Sequence, residues 1–210
     1  MKITVFGSSG NVGKLLVEQA LAEGYDVIVY ARNPSKLTIK HDQLTIVHGE
    51  LSDEAMIDRA ITGADAVISV MGPSGKSKGT PITDGMKHII AAMNNHGVRR
   101  LIALSTASSK DPNDKPGIKI KAMISLVKTT SPDAYADIVG WSDVIRASNL
   151  DWTLVRVLLL NNKPKTGNVK TGYPGLNELG TPISRADLAE FMLKQVKDTK
   201  YIRQAPIITN

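Results

Sequence analysis

The first thirty-four residues constrain the fold more than any other stretch of the chain. Lys2–Phe6 is a β-branched apolar run that predicts a buried strand, and residues 7–13 follow it as a turn with three glycines. Residues 14–23 have the apolar spacing of a helix that ends at Gly24, and residues 26–30 predict a second strand. A strand, a glycine turn, a helix and a strand in this order are typical of the first unit of a parallel sheet that binds a dinucleotide.

Each glycine of the turn has its own predicted role. Gly7 lets the chain turn sharply, Gly10 lets a pyrophosphate approach the backbone, and Gly13 lets the helix pack close to the sheet. Backbone N–H groups at the start of the helix would then point at the phosphates. The residues predicted to bind the cofactor here are Gly7, Ser8, Ser9, Gly10, Asn11, Val12 and Gly13. Because the spacing is GxxGxxG rather than GxGxxG, a tight turn without a ligand is the alternative.

Strands and helices continue to alternate along the rest of the chain. Near-continuous apolar runs predict strands that are covered by helices on both faces. We therefore predict an α/β fold with a doubly wound parallel sheet, in one domain of residues 1–210 with a small C-terminal elaboration. Residues 158–182, rich in Asn, Gly, Pro and Lys, are predicted as a loop region on the substrate side. Further strands are predicted at 43–48, 65–70, 99–104, 151–157, 168–171 and 205–209, and further helices at 53–61, 81–96, 118–128, 135–148 and 185–197.

Composition narrows the classes of function. The chain has no cysteine, which excludes disulfides and thiolate chemistry, and its four histidines lack the spacing of metal ligands. No apolar run approaches the ~18 residues of a membrane span. Because the predicted first strand already begins at Lys2, we expect no signal peptide. The net charge of +6 is dispersed and accompanies no nucleic-acid motif. We expect a cytoplasmic monomer or homodimer that acts on a small molecule, with no metal, nucleic-acid or membrane partner.

Ligands of such a sheet bind beyond the carboxyl ends of its strands. Parallel topology brings these ends to one edge, although they lie far apart in sequence. Residues 73–80 are predicted to form a polar loop at the same edge and are a candidate lid. Besides the glycine turn, the segments predicted to meet the cofactor there are Arg32-Asn33, Glu50-Leu51, Met71-Gly72 and Ser105-Thr106.

The end of the second predicted strand indicates which dinucleotide is preferred. An NAD site places a carboxylate there to bind the ribose 2′-hydroxyl, whereas this chain has Arg32, with Asn33 and Lys36 nearby. A guanidinium can bind a 2′-phosphate through two hydrogen bonds, which a carboxylate would repel. The sequence thus favours NADP(H) over NAD(H), with a solvated surface arginine as the alternative.

These motifs together resemble the short-chain dehydrogenases/reductases, and in particular their atypical, NmrA-like NAD(P)H-binding branch. That branch includes small flavin, biliverdin and quinone reductases. The resemblance implies a Rossmann fold, a nicotinamide ring near the end of the fifth strand, and an adenine beside Glu50-Leu51, where Asp is usual. It rests on the glycine turn, on Arg32-Asn33-Pro34, and on residues 148–156 (SNLDWTLVR) and 183–189 (ISRADLA).

The usual catalytic motif of short-chain reductases, Tyr-x-x-x-Lys with a serine, is absent. Tyr135 lies near the expected position, but the residue four places on is Val139. Ser105 or Thr106 matches the serine, so the catalytic candidates are Ser105 and Tyr135. Two hypotheses follow. The protein is an NADPH-dependent oxidoreductase that transfers hydride to a flavin, quinone or carbonyl acceptor, with positioning as its main contribution. Alternatively, it binds NADP(H) as a non-catalytic redox sensor.

Overall fold

Eight strands form one sheet in the computed structural model, which describes residues 1–73, 78–177, 179–180 and 182–210. The central residues of the candidate lid, 74–77, lie outside the described residues. The strands are β1 (Lys2–Phe6), β2 (Asp26–Ala31), β3 (Leu44–His48), β4 (Ala66–Ser69), β5 (Arg100–Thr106), β6 (Asp151–Val157), β8 (Lys170–Gly172) and β10 (Ile207–Thr209). Two short parallel strands, β7 (Leu160–Asn161) and β9 (Ile183–Ser184), pair separately.

The strand order is β3-β2-β1-β4-β5-β6-β10-β8, which confirms the predicted doubly wound sheet. The chain moves outward from β1 through β2 to β3, then returns to β4 on the other side of β1. Ligand crevices in open α/β sheets form at such a reversal, beyond the carboxyl ends of the strands. β8 pairs antiparallel with β10 at one edge, a departure from the all-parallel prediction. That pairing lies in the C-terminal elaboration, away from β1.

The described part of the chain contains six α-helices. They are α1 (Asn11–Ala22), α2 (Glu54–Ile61), α3 (Pro81–Asn95), α4 (Ile118–Thr130), α5 (Pro132–Ala147) and α6 (Arg185–Lys194). All of them except α4 cover the two faces of the sheet. Buried residues of α1 and α6 share one core, and those of α2, α3 and α5 share the other. In β5, Ile102 faces the first core while Leu101 and Ala103 face the second. Within the described residues, no helix combines the length and apolar character needed to cross a membrane.

Helix starts differ from prediction where local capping is decisive. α1 begins at Asn11 rather than Lys14 because Gly10 is extended and serves as its N-cap, so the last residues of the glycine turn are helical. Pro132 opens α5, three residues before the predicted start, since its fixed φ suits the first helical position. α2 begins at Glu54, one residue after the predicted start, because Asp53 is its N-cap and the Asp53 carboxylate accepts from the Met56 N–H at 3.1 Å.

Asp187 ties the C-terminal elaboration to α6. Its side chain is fully buried and accepts from Ser184 Oγ at 2.7 Å, from the Thr166 and Gly167 N–H groups at 3.0 and 2.8 Å, and from Asn210 Nδ2 at 2.9 Å. Burial alone would raise the pKa of Asp187, but these hydrogen bonds outweigh it and lower the pKa to about 2. The ionised carboxylate is therefore the form that the fold stabilises.

Replacing this carboxylate is expected to cost stability in a pH-dependent way. The pKa falls from 3.8 to about 2 on folding, so the contribution is complete above about pH 4 and is lost as the pH falls toward 2. At about 1.4 kcal/mol per pKa unit, Asp187→Asn should lower the free energy of unfolding at neutral pH by about 2 kcal/mol. Urea unfolding across this pH range measures the effect. Asp143→Asn, at a side chain 67% exposed, is the control, and a difference between Asp187→Asn and wild type that persists at pH 2 would contradict the account.

Candidate functional site

A cleft of about 600 Å³ lies at the carboxyl edge of the sheet, where the strand order reverses. Its walls come from the ends of β1, β2 and β4, from the turn after β3, and from the first turns of α3. The cleft thus brings together segments that lie up to 82 residues apart in the chain, from Phe6 to His88. The predicted cofactor residues that line it are Gly7, Ser9, Gly10, Arg32, Glu50, Leu51, Met71 and Gly72.

The glycine turn is too tightly packed for side chains at two positions. Gly7 has φ +84°, and a Cβ there would lie 2.8 Å from the Met71 nitrogen at the end of β4. A Cβ on Gly13 would overlap the Gly7 carbonyl oxygen and lie 2.7 Å from the Ser8 Cα. Gly13 therefore packs against the turn itself, a closer contact than the predicted one with the sheet. At Gly10 a Cβ would have the Gly7 oxygen, 3.4 Å away, as its nearest neighbour, so this side of the turn stays open.

The start of α1 has unused hydrogen-bond donors. Gly10 offers no capping side chain, and the first turn of α1 contains no acidic residue. Ser8 Oγ is fully buried and has no hydrogen-bond partner among the described residues. Asn11, Val12 and Gly13 form the first turn of the helix, where their N–H groups have no intrahelical acceptor. An anionic group fits this place, because helix dipole and free donors both favour negative charge.

Tyr30 shapes the wall opposite the glycine turn. Its hydroxyl donates to the Glu50 carbonyl oxygen at 2.7 Å, and its ring stands 5.1 Å from the ring of Phe6. Burial, reinforced by the Asp53 and Glu50 carboxylates, raises the pKa of Tyr30 to about 12, so the phenol stays a neutral donor. A Cβ on Gly49 would overlap the Tyr30 hydroxyl. Tyr30 thus fixes the turn that carries Glu50 and Leu51, a role that the sequence prediction missed.

A second missed residue, Asp137, holds the wall formed by α3. This fully buried carboxylate on α5 accepts from the Ile82 and Thr83 N–H groups at 3.1 and 2.7 Å and from Thr83 Oγ1 at 2.7 Å. It therefore caps the N-terminus of α3 from another helix. The signal in the sequence is an acid on the apolar face of a helix, one turn before Trp141.

Arg32 lies exposed at the end of β2 and lines the cleft. Within the described part of the chain its guanidinium makes no salt bridge, and His48 Nε2 donates to its carbonyl oxygen at 3.2 Å. Asn33 does not line the cleft, and its side-chain oxygen accepts from Ser35 Oγ at 2.6 Å. The cation at this end of the cleft is thus available to a ligand.

Ser105, Thr106 and Tyr135 stand apart from the cleft walls. Ser105 is buried, with its Oγ 2.9 Å from Ser142 Oγ. Ser142 donates its single hydroxyl proton to the Ile138 carbonyl at 2.8 Å, so Ser105 must be the donor in the pair. The Ser105 hydroxyl can therefore accept a further hydrogen bond but has no proton left to donate.

The other two candidates have local contacts of their own. Thr106 Oγ1 accepts from the Ser108 N–H at 3.1 Å. Tyr135 is half-buried on α5, with the Lys128 ammonium 5.8 Å from the centre of its ring. Over the residues that the structure describes, no three His, Asp or Glu side chains cluster in a way that could hold a metal ion.

Taken together, the reversal of strand order, the glycine turn and the open start of α1 define a dinucleotide-binding domain of the Rossmann type. Comparison with known proteins then gives the family. The chain belongs to the NAD(P)H-binding family, whose model matches residues 7–199. This confirms the family that the sequence motifs resemble.

Individual relatives are distant. A (4-alkanoyl-5-oxo-2,5-dihydrofuran-3-yl)methyl phosphate reductase from Streptomyces griseus is 27% identical over 180 residues, which cover 85% of this chain and 53% of that protein. The chain spans about half or less of the length of the first curated relatives that it matches. These matches support a reductase-like NAD(P)H-binding protein.

Solved structures share the fold over nearly the whole chain. The oxidoreductase ylbE from Lactococcus lactis superposes with a TM-score of 0.81 at 24% identity, covering 100% of this chain and 91% of that one. A short-chain dehydrogenase/reductase from Veillonella parvula, in complex with NADP, gives a TM-score of 0.81 at 21% identity over 100% and 94% of the two chains. At this identity the similarity establishes the fold.

Proposed function

We propose that this protein is an NADPH-dependent oxidoreductase that transfers hydride to a small conjugated acceptor, namely a flavin, a quinone or a carbonyl compound. The observation that carries the proposal is the cleft that joins the uncapped start of α1 to the free guanidinium of Arg32. Both ends of this cleft favour phosphate groups, and a 2′-phosphate is what separates NADP(H) from NAD(H).

Different residues of the cleft would bind different parts of the cofactor. The N–H groups of the first turn of α1, residues 11–13, would bind the pyrophosphate. Arg32 would bind the 2′-phosphate, and the Glu50-Leu51 turn the adenine end. When bound, the reduced nicotinamide supplies a hydride. Tyr30 and Asp137 keep the two walls in place through their hydrogen bonds to backbone groups.

The proton on Ser105 bears on the choice of acceptor. A serine that polarises a carbonyl must donate a hydrogen bond, whereas the proton of Ser105 is already used on Ser142. Reduced flavins and quinones can take their protons from water, so that positioning is the main task of the protein. This favours flavins and quinones; for a carbonyl acceptor, Tyr135 is the proton donor that we propose.

Turnover with a panel of acceptors tests the proposal. The protein is mixed with NADPH and, in turn, with flavins, quinones and aldehydes, while the nicotinamide absorbance is followed. We expect oxidation of NADPH with at least one flavin or quinone. Tight NADPH binding without turnover across the panel would contradict the proposed oxidoreductase activity. It would favour the alternative, a non-catalytic redox sensor that binds NADP(H).

Removing the guanidinium at the end of β2 should affect the binding of NADPH and NADH differently. We expect Arg32→Ala to weaken NADPH binding about tenfold or more and to leave NADH binding almost unchanged, because a charge-assisted bond to phosphate contributes about 1.5–3 kcal/mol. Lys36→Ala, a nearby exposed cation, is the matched control and should have little effect. Calorimetric titration of both dinucleotides measures the affinities, and an equal loss for NADPH and NADH would remove Arg32 from the site.

A further inference from the structure

Helix α4 has two different apolar faces. The helix packs against α5, and the residues of its inner face, Ile120, Met123, Ile124 and Val127, are half-buried. None of its thirteen residues is fully buried. The helix therefore lies on the outside of the domain, and the inner face alone accounts for its attachment.

The outer face carries a stripe that the domain leaves uncovered. Ile118, Ala122 and Leu126 are spaced at i, i+4 and i+8, which places them in one row along the helix. The exposed fraction is 86% for Ile118 and 61% for Leu126, and Ala122 is also exposed. Since Ile118 and Leu126 are among the few large exposed apolar residues of the described chain, the stripe calls for a partner.

Lysines flank the stripe on both sides. At about 100° per residue, Lys119 falls on one side of the row and Lys121 on the other, and Lys128 lies beyond Lys121, farther round toward α5. All three side chains are exposed, although the Lys128 ammonium also approaches the Tyr135 ring at 5.8 Å. The helix contains no acidic residue, so its charge of three lysines is uncompensated within α4.

We propose that α4 is an interfacial helix that docks on the surface of an anionic lipid bilayer. An apolar stripe between lysines is the pattern of helices that lie in the plane of the interface, with the apolar row in the acyl boundary and the ammonium groups among anionic headgroups. Each basic residue near such a surface contributes about 1 kcal/mol, or roughly fivefold in binding. The sequence predicted no membrane partner because it has no spanning segment, but surface docking does not need one.

Charge argues against a second copy of the chain as the occupant. Pairing α4 with itself would bring two helices of three lysines each together, with no acidic residue in either to offset the repulsion. A bilayer instead presents mobile anionic headgroups to both flanks at once. The proposal concerns a surface outside the cleft, so it stands or falls independently of the proposed chemistry.

Vesicle co-sedimentation tests the proposal with matched variants. Wild-type protein should bind vesicles of phosphatidylcholine with phosphatidylglycerol and should not bind vesicles of phosphatidylcholine alone. Lys119→Gln/Lys121→Gln/Lys128→Gln should lower binding by at least about tenfold. The same is expected of Ile118→Ser/Leu126→Ser, which keeps every charge. The control removes three exposed lysines elsewhere, as Lys40→Gln/Lys170→Gln/Lys200→Gln, and should change binding far less.

Several results would overturn the proposal. One is a wild-type protein that sediments no better with anionic vesicles than without them. Another is an equal loss of vesicle binding in both triple-lysine variants, which would show that binding depends on the net charge of the protein and not on α4. Binding to poly-glutamate but not to vesicles would point to an acidic protein partner. A dimer that Ile118→Ser/Leu126→Ser dissociates would show a second copy on the stripe. Circular dichroism and NADPH titration of each variant establish that the fold is retained.

Discussion

Gly13→Ala is expected to lower the affinity for NADPH by at least about 100-fold, the largest effect on binding that the cleft predicts. The added Cβ would overlap the Gly7 oxygen and come within 2.7 Å of the Ser8 Cα. Both neighbours are backbone atoms of the turn, so relief requires the turn to move away from α1. Because the N–H groups of that turn are the donors for the phosphates, displacing them removes several charge-assisted hydrogen bonds at once. Equilibrium titration of NADPH measures the loss.

Gly117→Ala is the matched control for this substitution. Gly117 lies at the start of a helix, as the N-cap of α4, it has φ −70°, and a Cβ there would meet nothing within 4 Å. Its replacement should leave NADPH binding unchanged. Overpacking at Gly13 also costs about 1–3 kcal/mol of stability, so unfolding curves must show that the variant remains folded during the titration. A folded Gly13→Ala protein with wild-type affinity would contradict the account of the turn.

Arg156→Met is expected to give the largest loss of stability, about 3–5 kcal/mol. Arg156 is fully buried in β6 and makes a two-pronged pair with Asp114, with distances of 2.6 and 2.8 Å. It also donates to the Ala205 carbonyl and, at 2.9 Å, to the Ser109 carbonyl. The guanidinium thus joins β6 to the loop after β5 and to the segment before β10. Without it, the Asp114 carboxylate is left buried and unpaired.

Two further variants test whether the loss of stability comes from the buried Arg156–Asp114 pair. Arg99→Met breaks an Arg–Asp pair whose arginine side chain is 53% exposed, and it should cost less than about 1 kcal/mol. Arg156→Met/Asp114→Asn removes the stranded charge and should recover part of the loss of Arg156→Met. Urea unfolding gives the free energies. Equal costs for Arg156→Met and Arg99→Met would refute the role assigned to the buried pair.

The sequence predicted the sheet well because its signals are local. Each strand is an apolar run between turn residues, and the glycine turn follows β1 directly, so β1 to β6 and their helices lie close to where they were expected. Arg32 could be placed at the end of β2 for the same reason. The first residue of each helix was predicted less accurately, since a single capping carboxylate, such as that of Asp53, determines at which of several neighbouring residues the helix begins.

The long-range parts of the cleft could not be predicted in this way. The sequence predicts Tyr30 only as a residue of a strand. In the structure its hydroxyl donates to the Glu50 carbonyl oxygen, twenty residues away. Asp137 caps α3 across more than fifty residues, and periodicity reveals nothing of its partners. The direction of the Ser105 hydrogen bond follows from Ser142, whose role depends on how α5 packs on β5. Such roles are properties of packing, which no local pattern contains.

Direct titration of the unaltered protein with NADPH and with NADH, followed by nicotinamide fluorescence, tests the central claim most simply. The account predicts saturable binding of one NADPH per chain, with NADH at least about tenfold weaker because it lacks the phosphate that Arg32 would bind. Saturable binding of neither dinucleotide, or tighter binding of NADH than of NADPH, would contradict it.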